Sequence, residues 1–251
     1  MKGALALRLS VLAALVGFLE ALCRTGVIGA FTMQPPSRML VDLWKLLTSG
    51  TLNAAIVKTL GNAGIACVSA VLLGLLAAVA IHALPRLREA LDPLFATYYA
   101  IPMFAFYPLL IILFGLGSLP SIIIGFMLAI VAVIVNTLNG LDRVPGVLLK
   151  TARVVRLSRA AIAWRITLPF ALPYVLTGVK FAVAYSLIGV IGSEFIMATD
   201  GMGYEIAFAY NNFDNATMYP LILMVLVVSI ALNSAIGAWE RRVLARRGRQ
   251  A

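Results

Sequence analysis

The 251-residue chain is 62% hydrophobic and only 12% charged, with a mean hydropathy of +1.01, which excludes an ordinary soluble domain, where about a quarter of the residues carry charge. Its formal charge of +10 comes from 20 Lys and Arg against 10 Asp and Glu. These cations lie in loops between apolar runs, not on a polar face with interleaved aromatics, so membrane topology rather than nucleic-acid binding accounts for them.

In chain order, six helical crossings are expected, at about 7–28, 55–80, 95–115, 119–139, 172–196 and 217–238. Each is long enough for a hydrocarbon core of about 30 Å, and together they make one transmembrane domain over 1–251. Lys2 and Arg8 ahead of an apolar stretch raise the question of a cleaved leader. No small-residue cleavage pattern follows and Glu20 interrupts the stretch, so it reads as a retained first helix. Glu20 and Arg24 stand four apart and can pair on one helix face. Pro35-Pro36 breaks the chain, and Leu40, Leu43, Trp44 and Leu47, at helical spacing around "DLWKLL", give a short helix lying in the interface.

In the second span Gly61, Gly64 and Gly74 suit close helix packing. His82, beside Arg86 and Arg88, reads as a surface or interface residue. Pro102, Pro108, Gly115 and Gly117 interrupt the third span or follow it, and leave backbone groups that a neighbour or a cavity must satisfy, which points to a transport path. Tyr98, Tyr99, Phe104, Phe106 and Tyr107 either line that path or belt the interface. The cysteines, Cys23 and Cys67, lie in apolar segments and read as small packing residues, without disulfide or metal-ligand spacing.

Between the fourth and fifth spans lie about 30 residues with Arg143, Lys150, Arg153, Arg156, Arg159 and Arg165 against Asp142. The tail carries Arg241, Arg242, Arg246, Arg247 and Arg249 against Glu240, whereas 197–216 holds Asp200, Glu205 and Asp214 and no Lys or Arg. The positive-inside rule places the basic segments and both termini in the cytoplasm. Arg38 and Lys45 in the first outer loop run against that assignment. A 30-residue connection exceeds a hairpin and must have structure of its own. Its composition is helical up to Pro169, and Lys150, Arg153, Arg156 and Arg159, three apart, fan over about half of a helix circumference. Such a segment holds anionic lipid headgroups or docks a soluble partner. Leu168-Pro169 followed by Pro173 makes a stiff re-entry that would transmit motion into the fifth span. The residues before Lys58-Thr59 and Lys150-Thr151, the only Lys-Ser/Thr pairs, are not Gly, so the chain has no P-loop and ATP hydrolysis would need a separate subunit.

The sequence resembles the permease subunits of bacterial binding-protein-dependent ABC importers of the nitrate/sulfonate/taurine type. Their cytoplasmic signature opens with Glu-Ala-Ala, has a Gly a few residues on and ends in Ile-any-Leu-Pro. Here it reads Lys150-Thr151-Ala152, Arg156 and Ile166-Thr167-Leu168-Pro169. The turn that a Gly would favour is not expected of Arg156, and the added cations suggest a partner with a more acidic cleft. "FLEALCRTGVIGAFTMQPPSRMLVDLWKLL", "AIPMFAFYPLLIILFGLG" and "GMGYEI" extend the similarity over nearly the whole chain.

The resemblance implies an all-α permease of the type I importer kind in the bacterial inner membrane, with a coupling helix within 143–169. That helix would seat in an ATPase subunit through Lys150, Thr151, Ala152, Arg153 and Arg156, then Leu157, Ser158, Arg159 and Trp164, closed by Leu168 and Pro169. ATP and Mg would be used by that partner, with no cofactor bound by this chain. A periplasmic or lipid-anchored solute-binding protein, a second permease copy and membrane lipids complete the expected partners. The expected activity is passage of a small, anionic organic or inorganic solute by alternating access.

Glu194, in "IGSEFIM", is an ionisable group inside a span and therefore a functional candidate. Lys180 is about 21 Å away on the same helix, too far to pair with it, and is expected to snorkel to the cytoplasmic interface. Glu194 either makes a hydrogen bond across the bundle or belongs, with Pro102, Phe104, Tyr107, Ser186 and Ser193, to the translocation path. The rival reading is an ion-coupled secondary transporter that uses Glu194 as proton carrier. A membrane enzyme finds no nucleophile with an evident base and no metal-ligand cluster.

Overall fold

The computed structural model describes residues 2–29 and 31–247. All regular structure among them is helical. Helix α1 (Lys2–Arg24) is followed by α2 (Pro36–Ser49), α3 (Asn53–Ala83), α4 (Pro85–Tyr98), α5 (Tyr107–Phe114) and α6 (Ser118–Asp142). The basic segment contributes α7 (Gly146–Val154) and the single turn α8 (Arg159–Ile162), followed by α9 (Leu168–Met197), α10 (Met202–Asn211) and α11 (Asn215–Arg247). Five of these stretches are long and apolar enough to cross a membrane. The third expected crossing is not one helix: α4 and α5 are bent by 93° across a short break. Hydropathy counted its residues but not their direction, and Pro102 and Pro108 cannot continue an uninterrupted hydrogen-bond ladder there.

The core is the packing of α3, α6 and α9. Lipid tails are as apolar as leucine, so these helices are held by close fit rather than by escape from water. The sequence supplies that fit with small residues of α3: Ala63 and Ala66 pack with Leu187 and Val190 of α9, Ala70 with Ala129 and Val133 of α6 and Ala182 of α9, and Ala78 with Ile134 and Leu138 of α6. The tightest approach is between Gly125 and Gly189, where a Cβ on Gly189 would lie 2.5 Å from the Gly125 Cα. Large apolar side chains such as Leu72, Leu76 and Ile112 face outward, as a lipid-facing surface requires.

Polar side chains tie the periphery to this core. Glu20 pairs with Arg24 at 2.6 Å, as the spacing predicts, and also accepts hydrogen bonds from the Ser37 backbone and hydroxyl at 2.9 and 2.6 Å, which fixes α1 to the start of α2. Asp42 lies 3.0 Å from Lys45 and 3.8 Å from Arg38, so the outer-loop cations stand beside a carboxylate of their own helix. Trp44 and Leu40 of α2 are exposed, in keeping with an interfacial helix. Lys180 does not snorkel alone: it forms an ion pair with Glu240 near the end of α11. A partner 60 residues away is invisible to an argument confined to one helix.

Candidate coupling site and translocation path

The basic segment is a bent unit rather than the continuous helix expected. Helix α7 starts after Pro145, whose fixed φ suits a helix entry, and it ends at Val154. Arg156 takes the left-handed conformation at φ 53°. The Leu157 N–H donates to the Ala152 carbonyl at 2.9 Å and the Arg156 N–H to the Arg153 carbonyl at 3.0 Å. This is a Schellman termination, and Arg156 occupies its left-handed position, which most helices give to Gly. The expectation that Arg156 could not turn the chain is corrected: the turn forms with an arginine, at a local cost of about 1–2 kcal/mol.

Ser158 then opens the next turn, its Oγ accepting the Ala161 N–H at 3.2 Å in the manner of an N-cap. A π-helical turn over Ala163–Thr167 runs directly into α9, with Pro169 in its first turn. Thr151 and Arg153 are exposed beside Lys150 and Arg156, while Ala152 is buried, packed under the bend. Val154 and Trp164 are 81% and 72% exposed. Leu149, Arg153, Leu157 and Ile162 line an open cleft of about 540 Å³ at the bend. Arg159 begins α8, but its side chain, like those of Arg246 and Arg247 and the whole of Arg249, falls outside the described residues. The segment therefore offers cations, exposed apolar side chains and a shaped cleft together, which is the composition of a docking surface.

At the opposite end of the bundle, Glu194 is 2% exposed. The Thr59 hydroxyl donates to its Oε2 at 2.7 Å, the Gly203 N–H donates to the same oxygen at 3.2 Å, and Thr59 Oγ1 accepts the Met202 N–H at 2.7 Å. One carboxyl group thus joins α3, α9 and the start of α10. The chain folds this way because Gly201 and Gly203 leave their Cβ space to the Glu194 side chain. Lys58 and Asp200 form an ion pair beside this knot. Thr59 and Gly203 carry no mark in the sequence of an involvement with Glu194, though "GMGYEI" marks the loop that supplies Gly203.

The other path candidates are placed as follows. Pro102 is exposed at the break between α4 and α5. Phe104 packs against the backbone of Gly192. Tyr107 is buried with its hydroxyl 3.3 Å from Ser121 Oγ. Ser186 and Ser193 are buried and donate back to the Val183 and Val190 carbonyls within α9. The structure brings Ser193 and Glu194 together beside Phe104, and leaves Pro102 alone at the surface.

A small-residue helical bundle, a broken crossing and a shaped basic segment between α6 and α9 define a membrane transport subunit. The chain belongs to the family of binding-protein-dependent transport system inner membrane components, whose model matches residues 70–245. It is 27% identical to the taurine transport system permease protein TauC of Escherichia coli, over 86% of this chain and 81% of that protein. It is 30% identical to the nitrate import permease protein NrtB of Leptolyngbya laminosa, over 71% of this chain and 63% of that protein. The fold matches a chain of the MetNI methionine ABC transporter, solved in inward facing conformations, with a TM-score of 0.67 at 16% identity, covering 78% of this chain and 97% of that one. The protein is a permease subunit of an ABC importer, a multi-pass component of the inner membrane.

Proposed function

We propose that this permease works as a pair of copies, each docking one ATPase subunit through the bent segment from Gly146 to Pro169, with both termini in the cytoplasm. The observation that carries this reading is the conjunction at the bend: exposed Val154 and Trp164, exposed Lys150, Arg153 and Arg156, and the cleft between Leu149 and Ile162. A juxtamembrane segment that only held lipid headgroups would need the cations but not the exposed apolar groups and the cleft. The π turn and the start of α9 give motion of the bend a direct helical route into the core pairing with α6. ATP and Mg are used by the partner, whose cleft is acidic to match the bend. A solute-binding protein delivers a small solute with an anionic group, the class to which the taurine and nitrate of the relatives belong. The ion-coupled reading is disfavoured by the match of residues 70–245 to the binding-protein-dependent transport system components.

The test is copurification. Wild type and an Arg156→Glu, Arg159→Glu double variant are expressed with the ATPase and binding protein of the same importer, and copurified ATPase and ATP hydrolysis in proteoliposomes are scored. The reading expects both to be lost in the variant while it remains inserted and monodisperse. Retention of both would refute docking through this bend.

A further inference from the structure

The end of the bundle that carries the docking bend also holds an ionic cluster that docking itself leaves unused. Asp142 is the last residue of α6. Its Oδ2 accepts from Arg88 Nη2 at 3.0 Å, and its Oδ1 lies 3.3 Å from Nδ1 of His82. Arg88 Nε donates to Asp92 at 2.7 Å. His82 stands in the last turn of α3 and Arg88 in the first turn of α4, with Leu84 alone between the two helices. One carboxylate therefore gathers the ends of three helices. The side chains of His82 and Asp142 are 42% and 48% exposed, so each pair by itself adds little stability. What the cluster fixes is position.

The residues after Asp142 show which position. Arg143 lies over the Tyr174 ring of α9, 5.8 Å from its centroid. Val144 is buried, and α7 starts directly after Pro145. The chain thus leaves α6 for the docking bend between two anchors that point to different elements, Asp142 to the corner of α3 and α4, and Arg143 to α9.

Helix α4 depends on such anchors more than its neighbours do. Unlike α3, α6 and α9 it buries no residue, and Leu91 and Phe95 only rest against the cluster of Ala78, Ile81, Ile134 and Leu138. Discrete ties hold its two ends. Near the bend the tie is Arg88 to Asp142. At the far end the Tyr98 hydroxyl donates to the Met127 carbonyl of α6 at 2.9 Å, and the Tyr99 ring lies 5.8 Å from that of Tyr185 on α9, just ahead of the 93° break. Pro93 withdraws one N–H from the ladder of α4, and the Arg88–Asp92 pair braces the turn that leads into it. At 14 residues α4 is about 21 Å long. It therefore connects the hinge of the docking bend with the break in the third crossing.

Energetic coupling between distant sites travels through rigid elements and ionic networks that have two arrangements. We propose that Asp142 is a positioning residue for coupling: through Arg88 it ties α4 to the hinge of the docking bend, so that ATP-driven motion of the bend carries α4 and the broken crossing with it. The helical route from the bend through the π turn into α9 does not pass through Asp142 and works beside it. The proposal rests on the docking and pairing of copies proposed above, and adds to them a second line of transmission.

The test reads helix positions in the whole importer, purified with its ATPase in lipid nanodiscs. A spin label is attached through Leu94→Cys on α4 or Ile188→Cys on α9, both exposed positions, after Cys23→Ser and Cys67→Ala. The distance between the labels of the two copies is measured by pulsed electron paramagnetic resonance, without nucleotide and with ATP and vanadate. With no further change, both distances are expected to shift by about 2–5 Å, the scale of helix displacements in switching transitions. Asp142→Ala and Arg88→Met should each cut the Leu94 shift by more than half and leave the Ile188 shift intact. Asp142→Glu, which keeps the carboxylate, and His82→Ala, which spares the Arg88 tie, should keep both shifts. A merely structural role would not move one label selectively. No Leu94 shift in the otherwise unaltered chain, a full Leu94 shift in both Asp142→Ala and Arg88→Met, or loss of both shifts together in these variants would overturn the assignment. ATPase content is scored on the same preparation. Absence of the ATPase overturns the docking reading, and absence of any distance between copies overturns the pairing, so both are told apart from a failure of Asp142 alone.

Discussion

Replacing Glu194 by alanine tests whether the end of the bundle remote from the basic bend is held by a single buried carboxyl group. The variant strips the acceptor from the Thr59 hydroxyl at 2.7 Å and from the Gly203 N–H at 3.2 Å, both of them buried. A buried donor left unpaired costs about 1–3 kcal/mol, and pairwise values measured inside membranes run lower, about 0.6 kcal/mol on average. Two donors and the space vacated against Gly201 and Gly203 then sum to about 2–4 kcal/mol. For a chain of this length that is a fall in Tm of roughly 5–15 °C. Glu194→Gln keeps a carbonyl oxygen for both donors and nearly the same volume, so it should lose about a quarter of that. The assay is thermal unfolding in nanodiscs followed by tryptophan fluorescence. A Glu194→Ala variant that melts within about 2 °C of wild type, or a Glu194→Gln variant as damaged as the alanine, would refute the knot as the tie between α3, α9 and α10.

Three further outcomes follow from the same packing and ion pairs. Arg156→Gly removes the left-handed strain at φ 53° and should raise Tm by about 2–4 °C, since the relief of about 1–2 kcal/mol exceeds the extra chain entropy of glycine; Arg156→Val should lower it. Gly189→Leu drives a side chain into the Gly125 backbone, where even a Cβ would approach to 2.5 Å, and should cost at least about 3 kcal/mol and the yield of folded protein, whereas Gly17→Leu, with open space around it, should be neutral in the same expression assay. Lys180→Met should destabilise by about 1–3 kcal/mol by leaving Glu240 unpaired, and the double variant Lys180→Met, Glu240→Leu should recover most of it, as read from a double-mutant cycle of melting temperatures.

The parts legible in the sequence were those governed by composition and by neighbours along the chain. The apolar runs, the Glu20–Arg24 pair and the short helix carrying Leu40, Leu43, Trp44 and Leu47 rest on spacing alone; five of the six runs lie on single long helices, and the third is split between α4 and α5. The basic residues and the length of about 30 residues marked the connection between the fourth and fifth spans, but a helical propensity argument drew it as one continuous helix. The bend at Arg156 escaped because the Schellman geometry is set by the hydrogen bonds of Leu157 and Arg156 to Ala152 and Arg153, which arginine tolerates at a cost that tertiary packing offsets. Glu194 announced itself as a buried carboxyl, yet its partners Thr59 and Gly203, and the Lys180–Glu240 pair, join residues 135, 9 and 60 positions apart. One sequence does not encode those distances. The Arg88 and His82 contacts with Asp142 were hidden for a further reason: an i,i+4 pair such as Arg88–Asp92 looks like any solvated helix face until α6 is laid beside it.

The most direct test of the account is a cross-link from the bend to the ATPase in the assembled importer. A photo-reactive amino acid is placed at Trp164 or Val154, both exposed at the bend, and at the exposed Ile112 of α5 as reference. After irradiation of membranes containing the whole importer, the cross-linked subunit is identified by mass. The account predicts ATPase adducts from Trp164 and Val154, changed in yield by ATP, and none from Ile112. Adducts with lipid alone from all three positions would contradict it.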